Sequence, residues 1–153
     1  MKLRRPWVVG ALSLIPLYWI CWYYAVNREM RDHGRERGNE ALAKTRPWLS
    51  VLAVTLGGFV LVPPLVSEWR TVRRIDASER IAGARVGPTS LTLFLVVAAW
   101  VLSWAGVIVS NAAVALALLF VGAAALIAAS VLMQQRLTRL WAAVAPPAVA
   151  QVV

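Results

Sequence analysis

Apolar residues in this chain fall in long unbroken runs, not on the one-sided stripes of surface helices. No charged side chain interrupts residues 6–27, 47–67 or 86–135. A bilayer core of roughly 30 Å is crossed by about 20 apolar residues in a helix, so each of the first two runs predicts one span. The third run is too long for one. As a single helix of about 50 residues at ~1.5 Å each it would measure roughly 75 Å, so it must fold back. Gly106 and the polar pair Ser110-Asn111 put the turn near its middle. The pattern predicts an all-α polytopic membrane protein with four transmembrane helices at about 7–26, 48–66, 89–109 and 112–133, plus amphipathic interfacial extensions. They make one membrane domain, residues 1–145, and a loose tail follows Pro146-Pro147 at 146–153.

The flanks carry further signals. Pro6-Trp7 suits the first turn of a helix at an interface, and Pro16 kinks that helix. Beyond the aromatic cluster, Arg28 and Asp32 are four apart, which continues the helix until Gly34 and Gly38 end it. Arg46-Pro47-Trp48 echoes Arg5-Pro6-Trp7, but aligning 5–32 with 46–73 gives only those three identities, so a shared interface signature is preferred over duplication. Gly57-Gly58 and Pro63-Pro64 weaken the second span. Over 67–85, Trp69, Val72, Ile75 or Asp76, and Ala82 recur at helical spacing among arginines. This predicts an amphipathic helix on the membrane surface or extending from the second span, with Arg70, Arg73, Arg74 and Arg80 as candidate lipid contacts; the alternative is a solvated charged loop. Met133, Leu137, Leu140, Trp141 and Val144 form a stripe on which the last helix emerges to lie at the interface.

Small residues recur at four-residue spacing in Ala99/Ser103, Gly106/Ser110, Ala124/Ala128 and Ala125/Ala129, as in faces that let helices approach closely in lipid. Five rings within seven residues (Tyr18, Trp19, Trp22, Tyr23 and Tyr24) exceed what an interfacial belt needs. Tyr18, Trp19 and Trp22 are candidates to pack inward, near Trp100 or Trp104; the alternative is a plain belt.

Composition agrees: 60% of residues are hydrophobic and the net charge is +9. The basic residues flank apolar runs, so they are read as orientation signals and lipid contacts, not as a nucleic-acid surface. Four spans put ten Lys and Arg on the side of the termini and the 67–88 loop, against six between Arg28 and Arg46, which places both termini in the cytoplasm. A first segment that re-enters at Pro16 is the alternative, and it puts every basic residue on one side.

Little catalytic chemistry is visible. No acid, Lys, Arg or His lies within a predicted span, which argues against proton coupling and charged-substrate transport. His33 is the only histidine and reads as a solvated helix-end residue; Cys21 is the only cysteine. Neither phosphate-loop glycine spacing nor a partnered serine nucleophile occurs. No catalytic residue, cofactor or metal is expected. Met1-Lys2-Leu3-Arg4-Arg5 before an apolar stretch resembles a signal peptide, but bulky residues fill the cleavage region, so an uncleaved anchor is expected.

Arg5-Pro6-Trp7, Leu14-Ile15, Tyr18-Trp19, Trp22-Tyr23, Asn27-Arg28-Glu29, Pro63-Pro64, Arg74-Ile75, Ala82-Gly83, and Gln134 or Gln135 with Leu137 and Leu140-Trp141 carry a resemblance. The chain resembles, over about 5–141, the bacterial membrane proteins known as domain-of-unknown-function family 4234. Thr138 stands where that family's ending has Asn, and Pro16 where a glycine is common. The resemblance implies a small multi-pass protein of the bacterial inner membrane and supplies no catalytic residues. The leading functional expectation is a non-enzymatic membrane module that associates with lipid, other membrane proteins or a second copy of itself. A passive channel or carrier for a neutral solute is the alternative, followed by a lipid-modifying enzyme at the interface.

Overall fold

The computed structural model describes residues 4–144, with the side chains of 58 and 59 excepted. The described residues are helical, with no strand among them. The first apolar run is not one helix. It is split into α1 (Pro6–Leu12) and α2 (Pro16–Glu36). Pro16 forces Ile15 into an extended conformation, as prolines do to the residue before them. Ser13 Oγ donates to the Gly10 carbonyl at 2.6 Å and Ile15 N to Leu12 O at 2.9 Å, so the break is internally satisfied.

After a short α3 (Glu40–Ala43), the second run breaks as well. It gives α4 (Pro47–Thr55), a 3-10 turn over Leu56–Phe59, and α5 (Val62–Ile81). A Cβ on Gly57 would stand 2.6 Å from Pro63 Cβ; only glycine permits this tight a turn. Positive-φ glycines close the other ends, Gly38 after α2 and Gly83 after α5, as left-handed C-terminal caps require.

The third run folds as expected. α6 (Thr89–Ile108) and α7 (Ala112–Val144) are antiparallel, and Asn111 Oδ1 caps α7 by accepting from Ala113 N and Val114 N. Among the described residues only α6 and α7 are long and apolar enough to cross a membrane, and just 28% and 11% of their most apolar stretches are buried. A core helix of a soluble protein is mostly covered; these present Phe94, Val107, Ile108 and Phe120 to the outside.

Four continuous spans at 7–26, 48–66, 89–109 and 112–133 are therefore corrected. The first two segments are helical hairpins whose short arms run ~10–13 Å by helical rise. Residue pairings fix their direction. Arg4 lies beside Glu29 and Thr138, and Ser67 Oγ donates to the Ser50 carbonyl at 3.0 Å. Both hairpins start and finish at one end of the bundle. Arg28–Arg46 thus joins Arg70–Arg85 and Arg136–Arg139 at that end, not across from them. The turn at 13–15 reaches partway along α7, where Gly10 meets Val131 and Ile127, and the α6–α7 tip carries no charged residue.

The surface-helix reading of 67–85 is also corrected. α5 is inserted in the bundle, with Ser67, Glu68, Thr71, Val72, Ile75, Asp76, Ser78 and Glu79 buried and Trp69 exposed. Likewise α7 does not leave the bundle at residue 133. Met133, Leu137, Leu140 and Trp141 pack in the core with α2. The expected tail at 146–153 lies outside the described residues.

Candidate functional site

Four polar arrangements stand out, and the last of them is a groove open to the surface. The first holds α7 to α5. Arg136, 1% exposed, donates from Nε to Glu79 Oε1 at 3.0 Å and from one terminal nitrogen to Glu79 Oε2 at 2.7 Å and to Asp76 Oδ1. Gly87 N and Thr89 Oγ1 complete the carboxylates' partners. Two acids face one base, so this closed cluster is structural.

The second knits α2 to α5 and α4. Tyr23 Oη shares hydrogen bonds with Ser67 (2.9 Å) and Thr71 (2.8 Å), Thr71 donates to Asn27 Oδ1, and Arg74 donates to Asn27 (2.7 Å) and Ser50 (3.2 Å). The third is Glu68. It is buried beside Trp100, twelve residues into α6, and accepts from the indole N–H at 2.8 Å. The sequence showed no carboxyl at this depth because it assigned residue 68 to a surface helix.

The fourth is the open one. Between α4 and α5 lies a groove of about 460 Å³ whose rim carries Lys44, Arg46, Arg70 and Arg74 and no acid. Ser50 and Ser67 line its wall, and Leu49, Ala53, Pro63 and Val66 continue it toward the apolar part of the bundle. A second groove of about 460 Å³ adjoins it, lined by Arg31, Arg35, Thr45 and Trp48 and again by Lys44 and Arg46. Trp48 also borders an apolar slot of about 440 Å³ between α2 and α4, lined by Ile20, Cys21, Tyr24, Val51 and Leu52. Some of this charge is answered: Lys44 pairs with Glu40 at 2.7 Å and Arg31 with Asp32 at 2.9 Å. Arg35, Arg46 and Arg70 have no acidic partner among the described residues.

The arginines expected to touch lipid divide. Arg70 and Arg74 line the first groove, whereas Arg73 and Arg80 flank Asp76 on another face of α5. Arg73 stacks over Trp69, 5.4 Å from the ring centre. The expected packing cluster also divides. Trp19 and Trp22 are buried, and Trp22 donates to Gln134 Oε1 on α7 at 2.8 Å. Trp19 stacks on Tyr23. Tyr18 and Trp100 pack against the same core, while Trp104 is only half-buried.

His33 is corrected outright. It is fully buried, edge-on to Trp141 with ring centres 5.4 Å apart. Desolvation first, and then Arg37, lowers its pKa below 6.5, against an opposing effect of Glu36. A depressed histidine pKa adds stability above 6.5 that is lost as pH falls toward the folded value. The thermal midpoint in detergent is expected to drop as pH falls below about 6.5, and a His33→Gln variant should lose that particular slope.

The class defined here is an all-helical bundle with two apolar helices of membrane-crossing length and adjoining cationic grooves at one end. No family model, curated protein or solved structure matches the chain.

Proposed function

We propose that this chain is a non-enzymatic module of the bacterial inner membrane that holds anionic lipid at its cationic grooves. The observation that carries the reading is the acid-free rim of Lys44, Arg46, Arg70 and Arg74 above an apolar wall. A phospholipid has that same order, phosphate above and hydrocarbon below. Arginine gives phosphate charge-assisted, paired hydrogen bonds, and basic pockets on the cytoplasmic side are suited to anionic head groups.

The membrane reading has α6 and α7 as the crossing helices. The hairpins α1–α2 and α4–α5 enter from one side and turn back within the bilayer, since their short arms of ~10–13 Å fall short of a ~30 Å core. Backbone breaks at that depth are tolerated where they are satisfied within the protein, as at Ser13 and Gly57. The concentration of Lys and Arg at one end puts that end in the cytoplasm.

Two measurements test this. In a Cys21→Ser background, Glu36→Cys and Ala84→Cys should label from the same side and Ser110→Cys from the other; opposite labelling of positions 36 and 84 restores the four-span topology. For lipid, each cation near the head groups contributes about 1 kcal/mol. Arg70→Gln with Arg74→Gln should weaken phosphatidylglycerol binding about thirty-fold by native mass spectrometry. Arg73→Gln with Arg80→Gln, on the other face, should leave it within about three-fold. Equal effects of the two pairs would show general surface attraction and no groove.

A further inference from the structure

We propose that the two cationic grooves together hold one lipid with two phosphates, a diphosphatidylglycerol, which straddles α4. This rests on the anionic-lipid reading above and names its ligand. The grooves are not independent, because Lys44 and Arg46 line both. The first groove and the apolar slot that Trp48 joins to the second groove lie on opposite sides of one helix. Leu49, Ser50 and Ala53 face the first groove, and Trp48, Val51 and Leu52 face the apolar slot. At 3.6 residues per turn these two sets centre about 150° apart on α4.

Each cationic groove has its own hydrocarbon path. The first continues along Pro63 and Val66, and the second opens past Trp48 toward Ile20 and Tyr24. The nine-residue α4 is ~13 Å long by helical rise, close to the depth of one leaflet's acyl region, roughly half of 30 Å.

A lipid with one phosphate occupies one groove and leaves the cations of the other uncovered. Two such lipids compete for Lys44 and Arg46. A lipid whose two phosphates share one glycerol bridge sets one phosphate in each groove, with the shared cations between them, and sends a pair of acyl chains down each face of α4.

The test is a native mass-spectrometric titration of the full chain in detergent with diphosphatidylglycerol, phosphatidylglycerol and phosphatidylcholine. One diphosphatidylglycerol should bind at least ten-fold more tightly than phosphatidylglycerol. Arg70→Gln with Arg74→Gln, and separately Arg35→Gln, should each weaken it at least five-fold, although they lie in different grooves. Arg35 is exposed, so that variant keeps its fold, which an unchanged thermal transition verifies. If diphosphatidylglycerol binds no better than phosphatidylglycerol, or Arg35→Gln leaves it unchanged, the straddling lipid is wrong while the anionic-lipid site stands. If neither anionic lipid exceeds phosphatidylcholine, the groove reading fails with it.

Discussion

Replacing Arg136 with methionine should destabilise the bundle by about 3–5 kcal/mol, the usual cost of stripping one partner from a buried ion cluster. Asp76 and Glu79, 5% and 1% exposed, would remain buried without the one guanidinium that pairs with both, and only Asp76 keeps cations at its flank, Arg73 and Arg80. Removing all three charges is a different experiment. Arg136→Met with Asp76→Asn and Glu79→Gln keeps volume and leaves no orphaned charge, so it should recover most of the loss. Thermal unfolding in detergent, followed by tryptophan fluorescence, reads both variants. A single Arg136→Met variant as stable as the parent would mean that the cluster does not hold α7 to α5. Gly87→Ala should show part of the same defect, because its Cβ would sit 2.7–2.8 Å from the Arg136 side chain.

Gly122→Leu should separate α6 from α7 at the middle of their contact. A Cβ at that position meets Ser103 Oγ at 2.6 Å, and behind it the Ala99 carbonyl at 3.1 Å and Ser103 N at 3.2 Å. Side chains can turn away but backbone cannot, so the helices must move apart. Overpacking of this kind costs typically 1–3 kcal/mol. The control is Ala124→Leu, two residues on, which lies on the exposed face of α7 and should be neutral within about 0.5 kcal/mol. A protease-protection or thermal assay that ranks the two variants equally would remove close α6–α7 packing from the account.

Much of this was legible where one local signal had one physical reading. The α6–α7 hairpin followed from a run too long for one span with Ser110-Asn111 inside it; its turn and the starts of both helices agree closely with the structure, whereas α7 runs on within the bundle to Val144. The inward packing of Trp19 and Trp22 was legible from ring density. Small-residue spacing located the helix contact but not its register: Ala125 and Ala129 are buried while Ala124 is exposed. Pro16 and Pro63-Pro64 were visible as weak points, yet a kink and a reversal have the same sequence signature. The echo of Arg5-Pro6-Trp7 in Arg46-Pro47-Trp48 has more structural content than identity suggested. Each opens a short helix of seven or nine residues, followed by a turn and a long helix of 21 or 20.

The cationic grooves were only half legible. Arg70 and Arg74 were picked with Arg73 and Arg80 because all four share one segment; their different faces follow from helical spacing once α5 is known to be inserted. Arg31, Arg35, Lys44 and Arg46 were missed because the four-span topology put them across the membrane. Spacing can assign charges to a helix face, but it cannot say which faces meet.

By itself the sequence determined that the chain is helical, that its apolar surface exceeds what a soluble core covers, and that its charge is confined to segments between apolar runs. Those properties depend on local composition and on the hydrogen-bonding needs of a backbone in an apolar surrounding, which every residue satisfies with its near neighbours. Only the tertiary structure decided which way the chain goes at Ser13–Ile15 and Leu56–Leu61, and hence which charges share an end. Those choices are set by contacts distant in sequence. Arg4 pairs with Glu29 and touches Thr138, Arg74 reaches Asn27, and Arg136 finds Asp76 and Glu79. Each is a polar group whose burial is tolerable only with its partner in place, and no local pattern names that partner.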